Sequence, residues 1–562
     1  MSNYTIVGID FGTSTSVVKV KNYYDGMKKN ECHSVSIQGN TSVPTQVFKS
    51  EDGTLFFGKE VDSEIQAGTK GMVYRNFKMD LIHPDAEKRH IAREMTRAFF
   101  KFLYEQFNQQ RQNLHVSPEM KTYVSFPAKW TPDVISFMKQ CAIDAGFGDE
   151  YSVFGEAEPT AAIYAALTDN EEKIKKDGLI VQTKPINVLM LDMGAGTSDV
   201  TIFKFMADQN NKLFIGYEGQ IITHPAIDNA YLCGGREVDE LLRKYNQNYL
   251  EKVLVNSNVP EGLLRLNAEG VKEWKESSVS KRLKDDSNVP IPGYLNNSLN
   301  MLRQFNMLTE HPYPVIDRSV FELLTRTHWT QLRSLITDAI QKASKVIKGL
   351  KGPEDIDIAI LTGGHSQWYC VKELLLGKSV AGLAPINFGK LKENPNRLLN
   401  ESRPQETVAC GLTYRDLEFD VTHTSPNGLW LRFILNDKVE SEVYNPISVF
   451  DSLPCKKRIK WSHKIEANIC STKDAKLRCE CLHGTNVNTA MSSDANTSVS
   501  LNSLGNFLWS LLFAPFGVFG ATVEYEIMVD AIVSFDEDGS GIIDGHVYTT
   551  YNDSGDAFHI VL

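Results

Sequence analysis

The chain has 562 residues, 42% of them hydrophobic and 23% charged, which gives room for about three or four domain-sized units of the soluble globular kind. A formal net charge of −11 excludes a generic nucleic-acid binder, whose affinity rests on a basic surface. Nine irregularly spaced cysteines describe no disulfide framework, and Met1-Ser2-Asn3-Tyr4-Thr5 lacks the basic start of a signal peptide, so a reducing cytoplasm is the expected compartment.

The first sixty residues read as strands and turns: Ile6 to Ile9, Val17 to Val20, and Leu55-Phe56-Phe57 after the Glu51-Asp52-Gly53-Thr54 turn. From Arg89 to Gln109, Ile91, Met95, Phe99, Phe102, Leu103 and Phe107 keep helical spacing. A strand, Thr122 to Pro127, precedes a helix capped by Thr131, with Pro132 at its first position and Gly146 at its close. Residues 156–168 form an Ala-rich helix whose small side chains permit close packing. The second half opens at Ile186. Helical stretches are expected around Val238–Leu254 and Glu269–Leu283, and then in an amphipathic helix carrying Leu332, Leu335, Ile336, Ile340, Ala343, Val346 and Ile347 on one face. Gly349 ends it shortly before a strand from Ile356 to Leu361. Strands alternating with helices indicate an α/β arrangement. After Tyr414 the chain turns rich in Gly, Ser, Asn and Asp, and β-like runs such as Gly428–Leu435 and Ala521–Phe535 take over, which places a boundary near 415.

Two segments repeat one device. Val7-Gly8-Ile9-Asp10-Phe11-Gly12-Thr13-Ser14 and Val188-Leu189-Met190-Leu191-Asp192-Met193-Gly194-Ala195-Gly196-Thr197 are each an apolar strand ending in Asp, then a Gly and hydroxyl turn, then a returning strand. A third glycine site, Ile358 to Gly364, follows at a similar interval. Glycines in a tight turn let backbone N–H groups approach phosphate oxygens, and successive N–H groups form an anion nest. Thr13, Ser14 and Thr197 add hydroxyl donors, and Asp10 and Asp192 suit Mg²⁺ held through its waters. One such turn is more often a plain hairpin. Two in matching contexts, with the Gly-Gly site, make nucleotide binding the leading reading.

At this point the chain resembles the superfamily of actin, sugar kinases and heat-shock-70 chaperones, and within it the divergent type 12-like branch of the chaperones, over about residues 4–414. Glu158-Pro159-Thr160-Ala161-Ala162 is similar to the family's first connecting helix and Glu406 to Gly411 to its second, while Thr362-Gly363-Gly364-His365-Ser366 resembles its adenosine motif. The resemblance implies a two-lobed actin-like fold built from duplicated ribonuclease-H-like halves: lobe I over 1–185, lobe II over 186–414, and a β-rich domain over 415–562. It also implies an ATP/ADP site with Mg²⁺ and slow hydrolysis. Asp10 and Asp192 would hold the hydrated ion; Gly12, Thr13, Ser14, Gly194, Ala195, Gly196 and Thr197 would cradle phosphates. Lys78 matches the lysine that orients the attacking water, a surface lysine being the bland alternative; Glu158 and Asp199 are water-positioning or base candidates, with Thr197 beside them. Gly235, Gly363 and Gly364 would contact ribose, phosphate or adenine, with Glu269 and Lys272 as the adenosine-contacting pair. The implied partners are nucleotide and a protein client or co-chaperone, without nucleic acid or a transmembrane segment, in a monomer or weak oligomer.

Two departures stand out. Gln367 occupies the place of the family's adenine-stacking Arg, and nothing after 415 resembles its acidic linker, peptide-holding sandwich and helical lid. Several local patterns are decoys. Gly53 to Lys59 begins like a P-loop, but position 60 is Glu and no helix is expected to open there. Asp536 to Gly541 begins like an EF-hand loop, but Val547 stands where the bidentate Glu belongs, so a hairpin turn is expected. Cys455, Cys470, Cys479 and Cys481 with His463 and His483 lack a zinc-type Cys-x₂-Cys pair; free thiols are expected, Cys479 and Cys481 on one side of a strand. The apolar run Phe507–Ala521 is shorter than the roughly 18–20 residues of a membrane span, contains Pro515, and reads as a buried element or loop, with a membrane-surface or partner-binding tongue as the alternative. A small-molecule kinase on the same fold and a nucleotide-dependent scaffold or filament are the rival functions.

Overall fold

The computed structural model describes residues 3–127, 130–179, 185–207, 213–216, 222–223, 234–254, 268–285, 290–294, 296–304, 315–345, 347, 349–400, 403–417, 419–425, 428–436, 439–448, 451–468, 475–484, 491–499, 522–536, 539–549 and 552–562. The chain divides into two compact units, one formed by Met1–Ser125 with Glu158–Asp420, the other by Phe126–Ala157 with Val421–Leu562.

In the first unit the strand Tyr4–Phe11 turns back antiparallel on Thr15–Tyr23, with Asp10 opposite Val17, and its other edge pairs parallel with Met120–Phe126. A second sheet repeats this layout. Ile186–Met193 turns back on Ser198–Ala207, with Asp192 opposite Asp199, and its other edge pairs parallel with Ile356–Thr362. The central strands are apolar on both faces: Val188, Leu189 and Leu191 are fully buried, as are Ile6, Val7 and Ile9. Such strands need cover on each side. Around the first sheet that cover is aromatic, with the Phe11 ring 5.4 to 5.9 Å from those of Phe77, Phe99 and Phe100. Phe99 and Phe100 come from the helix Ala86–Gln110, where the expected periodicity is realised. Around the second sheet the cover is the helix Arg318–Ala343, capped by Asp317 through the Val320 N–H, together with Gly235–Leu254 and Tyr369–Leu375.

Two helices pack at unusually short range. Glu158–Asp169 presents Ala161, Ala162, Ala165 and Ala166, all fully buried, and Thr407–Thr413 meets it at Gly411. A Cβ on Gly411 would lie 1.6 Å from the Ala161 carbonyl oxygen, so only glycine fits. On its other side the same helix meets the first strand, where a Cβ on Gly8 would stand 2.6 Å from the Ala409 oxygen. The helix starts at Glu158 rather than 156, because Glu156 and Ala157 complete the strand Val153–Ala157.

One expectation is overturned nearby. A helix, Glu60–Ala67, does open directly after Gly58 and Lys59, its first turn favoured by Glu60 and Asp62 at the positive end of the helix dipole. The P-loop still fails at residue 60, since Glu60 brings no hydroxyl.

In the second unit, Pro132–Ala145 follows Thr131, and Gly146 ends it in left-handed backbone at φ 110°. Four long antiparallel strands, Cys455–Asn468, Thr522–Phe535, Gly541–Thr549 and Asn552–Val561, form one sheet. Gly428–Leu435, Ala475–Gly484 and Met491–Val499 run through another. Both sheets contribute to one apolar cluster, with Phe433 of one stacked on Trp461 of the other at 5.7 Å. Two antiparallel sheets thus share a core, as in a sandwich, although the sequence offers no sandwich resemblance. Thr522–Phe535 and Gly541–Thr549 form a hairpin, Phe535 pairing with Gly541 and the Asp536 N–H reaching the Ser540 carbonyl, while Glu537 and Asp538 lie outside the described residues. Cys479 and Cys481 lie buried with their sulfurs 4.0 Å apart. Cys470 and the run 507–521 lie outside the described residues, as does the His483 side chain. Among the described residues no helix is long and apolar enough to cross a membrane.

Candidate functional site

The two Asp-tipped strands converge on a cluster of charge inside the first unit. Asp10 ends the first strand and accepts a hydrogen bond from Ser125 Oγ at 2.8 Å. Beside it lies Lys78, whose side chain is only 3% exposed. Asn76, in left-handed backbone at φ 63°, starts the short helix Phe77–Asp80, and Phe77 packs against Phe11 and Phe99. That anchoring turns Lys78 inward, where its ammonium sits 2.6 Å from Glu158 and 5.9 Å from the centre of the Phe11 ring. Glu158 is the first residue of its helix, a position that favours a carboxylate.

Asp192 ends the equivalent strand of the second sheet, directly opposite Asp199. Gly363, at φ 77°, closes over it: a Cβ there would be 2.3 Å from the Met193 oxygen and 2.7 Å from Asp192 Oδ1. Burial pushes the Asp192 carboxyl well above its ordinary range, and the charges of Glu158, Asp199 and Asp10 push it further, against Lys78. Burial and then Glu158 raise Asp10 to about 6, opposed by Lys78 and the Ser125 hydrogen bond. Four carboxylates thus face one ammonium. This imbalance is what a divalent cation relieves, and the all-oxygen donor set suits Mg²⁺. Among the described residues, no three His, Cys, Asp or Glu side chains converge as direct ligands of one ion.

The glycine turns meet. A Cβ on Gly196 would come within 3.5 Å of the Thr13 methyl. The Gly194 N–H bonds the Thr197 carbonyl at 2.9 Å, and the N-terminus of Gly235–Leu254 docks behind, the Gly235 and Arg236 N–H groups reaching the Gly194 and Ala195 carbonyls. Arg236 also donates through Nη2 to Ser14 Oγ at 2.5 Å, tying the first turn to the helix that supports the second. Gly12, Thr13, Ser14, Gly194, Ala195, Gly196 and Thr197 therefore lie on two turns brought face to face, with Gly235 directly behind them.

Beyond Gly363 and Gly364 the chain makes a single helical turn that holds His365, Ser366 and Gln367. Gln367 is half-buried, its amide 3.3 Å from Ser366 Oγ. His365 is buried, and its Nδ1 stands 3.4 Å from where a Gly235 Cβ would be. Its Nε2 meets Nε2 of the fully buried His328 at 2.8 Å, and His328 Nδ1 meets Glu237 Oε2 at 2.5 Å. Burial, then His328 and Lys275, keep His365 well below the usual imidazole range, so it is neutral. Glu237 thus holds the His328 ring through Nδ1, and the two Nε2 atoms share a single proton between His328 and His365. The Glu269 side chain lies outside the described residues, and Lys272 is half-buried. Three residues on, Lys275 is buried and paired with Asp239. Arg236, Glu237, Lys275, His328 and His365 escape the sequence reading. Only His365 carries a signal in the sequence, by lying inside the Thr362–Ser366 motif, while Arg236 and Glu237 directly follow Gly235.

No family model matches the chain. Its similar proteins are consistent among themselves. A chaperone protein DnaK of Thermosipho africanus is 25% identical over 415 residues, covering 72% of this chain and 58% of that protein. DnaK of Mycoplasma mycoides is 24% identical over 425 residues, or 73% and 58% of the two chains. A heat shock protein homologue of Encephalitozoon cuniculi is 28% identical over 278 residues, or 45% and 36%. The matched part thus spans a little over half the length of the DnaK relatives. Together with the ordered motifs, this makes the chain a divergent heat-shock-70-like protein.

Proposed function

We propose that the chain binds ATP and ADP with Mg²⁺ and hydrolyses ATP slowly, with the two sheets of the first unit at the cores of two lobes, 1–185 and 186–414, that close on the nucleotide. The observation that carries this is the convergence of two Asp-tipped hairpins, with Thr13 against Gly196 and four carboxylates around Lys78. Bound Mg²⁺ would neutralise charge on the phosphates. Asp10 and Asp192 hold its waters, and the two glycine turns supply N–H and hydroxyl donors to the phosphates. Lys78, fixed by Glu158, orients the attacking water, while Glu158 and Asp199 are the carboxylates placed to receive its proton. Phosphoryl transfer asks for this combination of positioning and charge stabilisation. Gly363, Gly364 and His365 line the nucleoside end, with Gln367 where adenine would stack and Glu269 and Lys272 assigned to adenosine. Residues 415–562 form the β-rich domain that lobe closure would influence, in a chaperone-like or regulatory role on a protein client.

The test is thermal unfolding with Mg-ATP. A ligand at a hundred times its dissociation constant adds about 2.7 kcal/mol to the folded state. Asp192→Asn should reduce the rise in melting temperature; an equal rise in variant and wild type would remove Asp192 from the site.

A further inference from the structure

Outside the charged cluster, two cysteines far apart in sequence meet within the first unit. Cys32 Sγ and Cys410 Sγ lie 3.4 Å apart, a non-bonded contact between residues separated by 378 positions. Cys410 is buried at 1% exposure, whereas Cys32 is partly accessible.

The surroundings hold this pair in place. Lys21, itself buried, donates through Nζ to the carbonyls of Lys28, Lys29 and Glu31 at 2.8 to 2.9 Å, which fixes the loop leading into Cys32. The next residues, His33 and Ser34, pair with Val20 and Lys19. Lys19 Nζ donates to Ser34 Oγ at 2.6 Å and to Glu406 at 2.5 Å, one turn before Cys410. From the other side, the Tyr414 hydroxyl donates to the Asn30 carbonyl at 3.0 Å and lies 3.7 Å from Cys32 Sγ. The hydrogen-bonded contact between the Cys32 and Cys410 sulfurs draws Cys32 below the usual thiol range against its burial, with help from Lys19, the Tyr414 hydroxyl and Arg403. An accessible sulfur with thiolate character beside a second sulfur is the arrangement of a redox-sensing cysteine and its resolving partner.

We propose that Cys32 and Cys410 are an oxidant-sensitive pair that forms an intramolecular disulfide and locks the helix Thr407–Thr413 to the Cys32 loop. The oxidant class is a hydroperoxide. The Cys32 thiolate attacks the O–O bond: an S–O bond forms, the O–O bond breaks, and the departing oxygen takes up a proton, leaving a sulfenic acid. The Cys410 sulfur then attacks the sulfenic sulfur: the S–S bond forms, the S–O bond breaks, and hydroxide leaves as water with the Cys410 proton. Two thiols lose two electrons and two protons, and one hydroperoxide is reduced. In a reducing compartment such a bond is transient and regulatory rather than structural. Its effect would fall on a helix already pinned to its neighbours at Gly8 and Gly411.

The experiment treats the full chain with hydrogen peroxide, digests it without reductant and identifies the linked peptides by mass spectrometry. A Cys32–Cys410 pair reversible by dithiothreitol is expected in wild type and absent in Cys32→Ser, whose reduced form should melt like wild type because Cys32 is partly exposed. Amide hydrogen exchange across 407–413 should slow at least several-fold on oxidation in wild type and stay unchanged in Cys32→Ser. Recovery of Cys32 as sulfinic acid with Cys410 still a free thiol would overturn the pairing. A formed cross-link with unchanged exchange would overturn the lock. Neither readout depends on nucleotide.

Discussion

Gly411→Ala tests the glycine position with the least room for a side chain among the described residues, because two effects of opposite sign act on it. In an isolated helix, alanine is favoured over glycine by about 1 kcal/mol. Here the added methyl would stand 1.6 Å from the Ala161 carbonyl oxygen and 2.4 Å from its carbon, and both obstacles are backbone atoms that have no rotamer to escape into. Restoring ordinary contact means moving the two helices apart by roughly 2 Å, an overpacking whose cost reaches about 3 kcal/mol. The net expectation is a loss of about 2 kcal/mol, read as a lower urea midpoint at unchanged slope. Nucleotide affinity should fall as well, since Glu158 heads the displaced helix. Gly389→Ala is the control, because a Cβ there meets nothing within 4 Å, and it should be neutral or slightly stabilising. A Gly411→Ala protein as stable as wild type, or more so, would refute the close-packing argument.

Three further outcomes are expected. Asp10 is raised in the folded state from 3.8 to about 6, so folding binds its proton; that contribution is complete below pH about 4 and is lost as pH rises through about 6. Without ligand, the melting temperature of Asp10→Asn should therefore gain on wild type across that window, and a constant difference would remove the shift; Mg²⁺, by supplying the missing positive charge, should stabilise wild type more at pH 8 than at pH 5. Lys78→Ala should leave ATP binding largely intact and lower single-turnover hydrolysis, and an unchanged rate would take Lys78 out of the chemistry. Gln367→Arg should restore a planar cation for adenine and tighten ATP over tripolyphosphate by about 0.5–2 kcal/mol; equal tightening of both ligands in equilibrium binding would place adenine elsewhere.

What the sequence made legible followed from local rules. The Asp-Gly hairpins, the Pro132 and Gly146 helix boundaries and the Asp536 turn are each determined within about ten residues, where periodicity and turn chemistry act. The helix at Glu60 is hidden in a P-loop pattern, whose mark is a hydroxyl, whereas Glu60 and Asp62 start a helix through its dipole. Lys78 was ambiguous because its burial depends on Phe77 meeting Phe11 and Phe99 across the sheet. The Glu237–His328–His365 chain and the Cys32–Cys410 contact join residues dozens to hundreds of positions apart, a distance at which spacing carries no signal. The shared core of the second unit was obscured for another reason: its strands are long, but their polar alternation resembles that of many turn-rich segments.

The two hairpins differ at one register position. In the first, Asp10 lies across from Val17, a fully buried apolar residue; in the second, Asp192 lies across from Asp199. Residues directly opposed in an antiparallel pair project from the same face, and like charges there destabilise the sheet. At this register position the first hairpin escapes a cross-strand repulsion that the second carries. Replacing Asp199 with valine would make the second hairpin resemble the first and should yield a sturdier but idle protein, because proteins commonly concede stability where they act. The two hairpins thus share the carboxylate at the strand end and differ in what faces it, so the cross-strand repulsion falls on one of them alone.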